Sequence, residues 1–384
     1  MLSFSRTSFL GRYFPPPSFL TMPAAGVDLS YHSMRVVTFV RSHKGLALDK
    51  AVTRSIPGGA IYGDEVQSNK ELKDALIAVK KDLGLSFVRV TLPEDKAYIF
   101  RTILPHMPPA QARQAIEFQL EENVPLLPSE AVFDFVILPS KTAIPAPTSA
   151  STPTDTSAAT MDVVVAVFPK KFVEGYLELF RSAGLMPTAF YMNTDAIAKS
   201  VIRQDDMGTY LITNIGTKTT GIYVVSEGVV QFTATLSFGG ESLTSAIEKH
   251  LSVTHEEALK IKRGEVMMKN REAVELFYSL ANTASALRDE MNRIVSYWQT
   301  HKDKGVAVGK PIQKIYLCGS GAHLCGFDEY ISTTMKIETE VGNVWQNAFT
   351  FEESIPHITQ PDSLSYASAI GSALASFNSP QSNV

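Results

Sequence analysis

Two stretches of this chain follow the same plan. GVDLSYHSMRVVTFV starts at Gly26 and TNIGTKTTGIYVV starts at Thr213. Each is an apolar strand ending in Asp or Asn, then a short polar turn, then a second apolar strand. Asp28 and Asn214 hold the same place in the two copies. A further hairpin follows each copy, through His43-Lys44-Gly45 in the first and Ser226-Glu227-Gly228 in the second. Such a duplication predicts two similar halves facing one another across a cleft, the kind of place where small ligands bind; between related α/β halves the ligand is commonly a nucleotide.

The pattern around the two copies alternates. Short β-branched and aromatic runs predict strands at 26–29, 34–41, 87–91, 97–103, 132–138, 163–168, 210–214, 221–226, 229–235 and 314–318. Helical periodicity predicts helices at 69–83, 109–122, 170–183, 194–202, 241–250, 254–263 and 271–299. The chain is therefore α/β. In the last helix Leu280, Ala284, Leu287, Met291, Ile294 and Trp298 form a core-facing stripe. With 384 residues, 45% of them hydrophobic, a sizeable core can be buried.

Residues 140–160, SKTAIPAPTSASTPTDTSAAT, are almost entirely Ser, Thr, Ala and Pro, a composition that cannot bury a core. They are flanked by strand-like VFDFVIL and DVVVAVF, so they join two strands of one sheet and do not separate domains. Residues 1–23 read as a flexible extension, with Arg6, Arg12 and a Pro15-Pro16-Pro17 break but no continuous apolar centre for a signal peptide. Residues 377–384 form a polar tail. The net charge of −4 gives no basic surface for nucleic acid. Cys318 and Cys325 lack metal-ligand spacing and read as free thiols of a cytoplasmic protein.

The turns carry the candidate chemistry. Backbone amides in a tight turn, beside Ser and Thr hydroxyls, can bind phosphate oxygens. Gly216 lets a ligand approach the backbone. A P-loop is excluded, because GxxxxGK[ST] is absent and a strand follows Lys218. Alone, the Gly216–Thr220 turn reads as a hairpin; the repeat raises the phosphate reading above that. A second glycine site, Gly319-Ser320-Gly321, follows a strand and is expected to turn into a helix near Ala322, presenting amides at its N-terminus. His32 reads as an exposed turn histidine, Asp134 as a partner in an edge-strand salt bridge, and Lys218 as a solvated turn lysine or a point charge for phosphate.

Taken together these segments resemble the actin-like ATPase superfamily, which includes actin, sugar kinases and the cell-division protein FtsA, and within it the PilM family of type IV pilus assembly proteins. AGVDLSYHSMRVV resembles the first phosphate loop and TNIGTKTTGIYVV the second. AIEFQLEENVPLLPSEAVFDFVIL, from Ala115, resembles that family's helix, Ile-Pro turn and following strand. FGGESLTSAI with HEEALKIKRG resembles its Gly-Gly-x-x-Leu-Thr and Glu-Glu-Ala…Lys block, and IYLCGSGAHLCGFDEYI the adenosine loop. The resemblance implies an actin-like (ribonuclease H-like) duplicated two-lobed α/β fold with an inserted small α/β subdomain. Residues 24–103 with 185–210 would be the first lobe, 104–184 the insertion and 211–376 the second lobe.

It also implies ATP or ADP as ligand, with Mg²⁺. Asp28 would organise the metal. Ser30, Tyr31, His32 and Ser33 would offer amides and hydroxyls to the phosphates, as would Asn214, Gly216, Thr217 and Thr219 from the second loop. Gly239 and Gly240 would border the nucleotide, Lys262 would approach the adenosine, and Gly319, Ser320 and Gly321 would pack against it. The chain departs from the family pattern at four places. Ser30 replaces a glycine, Asn214 an aspartate and Leu259 a glutamate, while Tyr191 stands at an acidic position with Asp195 displaced. Each change weakens metal-assisted hydrolysis more than binding. The expectation is thus a nucleotide-binding adaptor with weak or absent ATPase activity. Its implied partner is the cytoplasmic N-terminal peptide of the membrane protein PilN, which would hold it at the inner face of the membrane. The alternatives are an FtsA-like filament protein and, behind it, a small-molecule kinase of the same superfamily. The polar C-terminal sequence argues against the first, since it offers no amphipathic membrane helix.

Overall fold

The computed structural model describes residues 24–377 apart from 43–44, 59, 62–65, 67–68, 140–159, 263–269, 301–308, 323 and 325, and over 270–283 it describes only the backbone. The N-terminal extension, nearly all of the Ser/Thr/Pro segment, His43-Lys44, Cys325 and the tail beyond Phe377 lie outside the described residues.

The repeat in sequence is a repeat in topology. The first five-stranded sheet is built from β1 (Ala25–Leu29), β2 (Ser33–Ser42), β3 (Gly45–Ser55), β4 (Phe87–Leu92) and β8 (Met186–Met192), in the order β3-β2-β1-β4-β8. The second uses β9 (Thr209–Ile215), β10 (Thr220–Ser226), β11 (Val229–Leu236), β12 (Lys314–Cys318) and β13 (Glu338–Val341), in the order β11-β10-β9-β12-β13. In both sheets the first three strands are antiparallel neighbours and the last two are parallel additions. β9 and β10 are buried along nearly their whole length, which is why they read as continuous apolar runs and do not alternate.

A third sheet, β5 (Tyr98–Pro105), β6 (Ala131–Ile137) and β7 (Thr160–Pro169), is antiparallel in the order β5-β7-β6. It has its own core. Ala112, Ile116 and Leu120 of helix α2 (Pro109–Asn123) pack on Leu104, Met161, Val163, Val165 and Val167. The larger core runs through both five-stranded sheets.

Local sequence explains the helix ends. Asn69 caps α1 (Lys70–Leu83), its side chain accepting from the Leu72 amide, and Gly84 closes the helix in the left-handed region. Pro109 opens α2 where a missing N–H costs nothing. The remaining helices are α3 (Lys170–Ser182), α4 (Asn193–Val201), α5 (Gly240–Leu251), α6 (His255–Lys262), α7 (Asn270–Thr300), α8 (Phe327–Met335), the single turn α9 (Gln360–Ser363) and α10 (Ala367–Leu374). Of the α7 stripe, Ala284, Leu287, Met291, Ile294 and Trp298 are buried as expected, and the Leu280 side chain lies outside the described residues.

The expected strands and helices omit β8, β13, the single turn α9 and the C-terminal α10, and β3 is implied only by the hairpin through residues 43–45. Every residue of α10 is buried, so it shows no amphipathic period. It wedges between β1 and α4. A Cβ added at Gly371 would stand 1.7 Å from the Ala196 carbonyl oxygen, and one at Gly26 would stand 1.9 Å from that of Ala369. One expectation fails outright. No helix begins near Ala322: residues 319–322 form a turn, with the Ala322 amide on the Gly319 carbonyl, and α8 starts only at Phe327 after Gly326.

Candidate functional site

The two repeated turns and the Gly319 turn lie at the strand ends. In the first turn the Ser30 amide donates to the Ser33 carbonyl, closing a four-residue loop between β1 and β2. That register sets Asp28 directly opposite Arg35. Asp28 is buried, and its carboxylate accepts three hydroxyl hydrogen bonds. Oδ1 accepts from Thr91 Oγ1 at 2.8 Å and from Ser368 Oγ on α10 at 2.9 Å. Oδ2 accepts from Ser30 Oγ at 2.7 Å and lies 3.7 Å from an Arg35 terminal nitrogen, which itself donates to Ser30 Oγ at 2.8 Å. A polar row thus crosses the sheet, continued by Thr53, which stands opposite Arg35 and donates to the Tyr366 hydroxyl. Ser30 points its hydroxyl inward. Tyr31 and His32 point outward, edge to face with ring centroids 4.5 Å apart.

The second turn is made of backbone. The Gly216 amide donates to the Thr219 carbonyl at 2.9 Å. The carbonyls of Gly216 and Thr217 accept from the Gly240 and Glu241 amides at the start of α5, and the Ile215 carbonyl accepts from Gly321. The strand end, the Gly239-Gly240 turn and the Gly319–Gly321 turn are thereby tied together. The approach is close enough to require glycine: a Cβ at Gly239 would stand 2.5 Å from the Thr217 carbonyl oxygen, and one at Gly319, where φ is +84°, 2.6 Å from Asn214 Oδ1. Lys262 is buried beneath, its ammonium donating to the Gly240 carbonyl at 3.1 Å and to Thr244 Oγ1 at 3.0 Å. Lys218 is exposed. It pairs with Glu241 at 2.6 Å and lies 5.9 Å from the Tyr31 ring centre, so the two turns meet there. The pair holds the Glu241 carboxyl below its ordinary range and the Lys218 ammonium above its own.

The structure therefore gathers Asn214, Gly216, Thr217, Gly239, Gly240, Lys262, Gly319 and Gly321 into one patch. Tyr31 touches its edge through Lys218. Thr217 and Ser320 are exposed beside it, as is His32 across the turn. Asp28 turns one oxygen toward Ser368 on α10, and Ser30 turns its hydroxyl to Asp28 and Arg35. The nucleotide implied by the resemblance fits the rim of this patch, where Thr217 and Ser320 are exposed and Gly216 is half-buried; Gly239, Gly240, Gly319 and Gly321 are buried where the three segments pack together. A divalent cation does not fit Asp28. Its oxygens already accept three hydroxyl protons beside a guanidinium, its counterpart Asn214 is neutral, and among the described residues no group of three or more His, Cys, Asp or Glu could hold a metal ion.

Sequence reasoning missed Arg35, Thr91 and Ser368 around Asp28, and also Glu94. Glu94 follows β4 and accepts from Asn193 Nδ2 at 3.0 Å. It reaches the other sheet, where a Cβ at Gly221 would stand 2.5 Å from Glu94 Oε1. Burial pushes its carboxyl up from the ordinary range, partly offset by hydrogen bonds. Asn193 Oδ1 and the Tyr223 hydroxyl are buried without a hydrogen-bond partner. The expected pair of Asp134 is present, with Arg113 at 3.5 Å on the surface. Cys318 is a free buried thiol whose pKa burial pushes up to about 12.

A family model described as type IV pilus assembly protein PilM matches residues 26–377. Among solved structures, one of a PilM-PilN type IV pilus biogenesis complex superposes with a TM-score of 0.70 at 19% identity, covering 93% of this chain and 99% of that one. The ethanolamine utilization protein EutJ from Carboxydothermus hydrogenoformans superposes with a TM-score of 0.50 at 14% identity, covering 91% and 89%. A search of curated proteins finds no match. At these identities the likeness speaks to the fold, which is the actin-like, duplicated α/β architecture that the resemblance implied, its duplication already expected from the repeat.

Proposed function

The chain belongs to the type IV pilus assembly protein PilM family, and we propose that it acts there as a nucleotide-binding adaptor for a PilN-like membrane protein, in a type IV pilus or a related type II secretion machine. The family match across nearly all of the described residues carries this conclusion. Residues 24–103 with 185–210 act as the first lobe, 211–376 as the second and 104–184 as the inserted subdomain. ATP or ADP lies against the glycine patch, with Gly216, Thr217, Thr219 and Ser320 toward the ligand and Tyr31, His32 and Ser33 across from them. Hydrolysis is weak or absent, because Asn214 and Tyr191 remove acidic groups that would position water and charge.

The partner peptide, the cytoplasmic N-terminal segment of the PilN-like protein, docks on the inserted sheet and holds the chain at the inner face of the membrane. Two observations support this surface. β6 is an outer strand, and Val132 and Ile137 on it are exposed together with Phe118 and Leu127 nearby in the chain. An extended apolar peptide can add to such an edge and seat its side chains on such a surface. No described helix is long and apolar enough to cross a membrane.

Fluorescence anisotropy with the labelled N-terminal peptide of the cognate PilN-like protein tests the reading. Saturable binding is expected, weakened about tenfold or more by Val132→Glu with Phe118→Glu, which place charge in an apolar contact. Absence of binding, or binding indifferent to both substitutions, would remove the inserted sheet as the docking surface.

A further inference from the structure

We infer that Arg35 takes the place of a divalent cation at the first turn, so that this cleft binds nucleotide without metal. The inference rests on the nucleotide reading above and deepens it. Asp28 carries a negative charge in a buried position, and such a charge needs a compensating partner. The chain supplies one internally. Arg35 stands opposite Asp28 in the β1–β2 register, 3.7 Å from Oδ2, and is coupled to it through Ser30, whose hydroxyl donates to the carboxylate and accepts from the guanidinium. The bridge exists because position 30 carries a hydroxyl. With glycine there, Arg35 would lose its acceptor and Asp28 Oδ2 its closest donor.

The other oxygen is closed from the far side by Thr91 and Ser368. Oδ1 has both acceptor directions taken, and Oδ2 accepts from Ser30 with the Arg35 guanidinium 3.7 Å away, so a hard cation would meet an occupied oxygen on one side and a positive charge on the other. The Arg35 side chain is 15% exposed and that of Asp28 8%, so the pair is held in place and is not a loose surface contact. The second turn reaches the same end by another route. Asn214 carries an amide in the equivalent place and sits beneath Gly319, with no charge for a metal to balance. Both halves of the repeat have thus withdrawn the free carboxylate from the cleft. The phosphate charge is left to backbone amides and to cationic side chains.

The test is an ATP titration of the full chain in Mg²⁺ and again in excess EDTA, with native protein, Arg35→Gln and Asn214→Asp. For native protein the dissociation constants in the two buffers are expected to agree within about threefold. Asn214→Asp, nearly isosteric, adds a carboxylate beside the ligand. It should make binding metal-dependent by about tenfold or more, since the added charge repels free ATP and attracts the metal complex. Arg35→Gln should do the same from the first turn. Its folding is checked by its unfolding midpoint, and Asn214→Asp keeps the proposal testable if it fails to fold. A loss of about tenfold or more on chelation in native protein would overturn the inference while leaving the nucleotide reading intact. No saturable binding in either buffer would overturn the nucleotide reading itself, and the inference with it.

Discussion

The two turns are topological equivalents built from different materials. The first is held by side chains: a carboxylate, three hydroxyls and a guanidinium. The second is held by main chain: carbonyls of residues 215–217 bonded to the amides of Gly240, Glu241 and Gly321, with glycines where the backbones cross. A duplicated backbone therefore does not dictate a duplicated chemistry. The side-chain turn anchors the C-terminal helix through Ser368, while the backbone turn ties the Gly239-Gly240 and Gly319–Gly321 segments to its own strand end. The first turn thus also ties its own sheet to α10.

Substitutions that separate the two materials should separate their costs. Gly239→Val, which drives a side chain into the Thr217 peptide, is expected to cost about 3 kcal/mol or more and to abolish nucleotide binding, measured by denaturant unfolding and by titration. Asp28→Asn leaves the guanidinium uncompensated and gives the three hydroxyls a weaker acceptor. It should cost about 2 kcal/mol by the same unfolding measurement, with nucleotide affinity little changed.

Glu94 sits between the halves and makes their junction pH-sensitive. Its carboxyl is raised in the folded state, so the folded chain holds the proton more tightly and stability falls as pH rises through the folded-state value. Glu94→Gln should flatten that fall, so that the difference in urea midpoint between about pH 5 and about pH 8 shrinks relative to native protein. A variant that keeps the native slope would take Glu94 out of the junction. At the small end, Lys218→Met breaks only an exposed pair with Glu241 and should leave the urea midpoint nearly unchanged.

Much of this was legible in the sequence. The shared strand–turn–strand pattern is local, and each copy carries its own apolar period, so the duplicated fold could be read from Asp28 and Asn214 outward. Gly216, Gly319 and Gly321 were legible from their strand-turn context, whereas Gly239 and Gly240 came only through the resemblance; at 239 and 319 the close backbone approach explains the residue. The partners of Asp28 divide into two kinds. Arg35 was within reach, because closing the hairpin at residues 30–33 puts it opposite Asp28. Thr91 and Ser368 were not, because parallel pairing and the docking of a uniformly buried helix leave no periodic trace. The same limit explains the misplaced helix after Gly321. The GSG turn looks like a helix start, but its amides are turned toward the Ile215 carbonyl and the turn itself.

The measurement that tests the central claim most directly is hydrogen exchange of the full chain with and without saturating ATP, read at peptides covering both turns. The account predicts the larger slowing at residues 216–220 and 319–321, with a smaller change at 28–35. Protection concentrated at 28–35, or no protection at either turn, would contradict it.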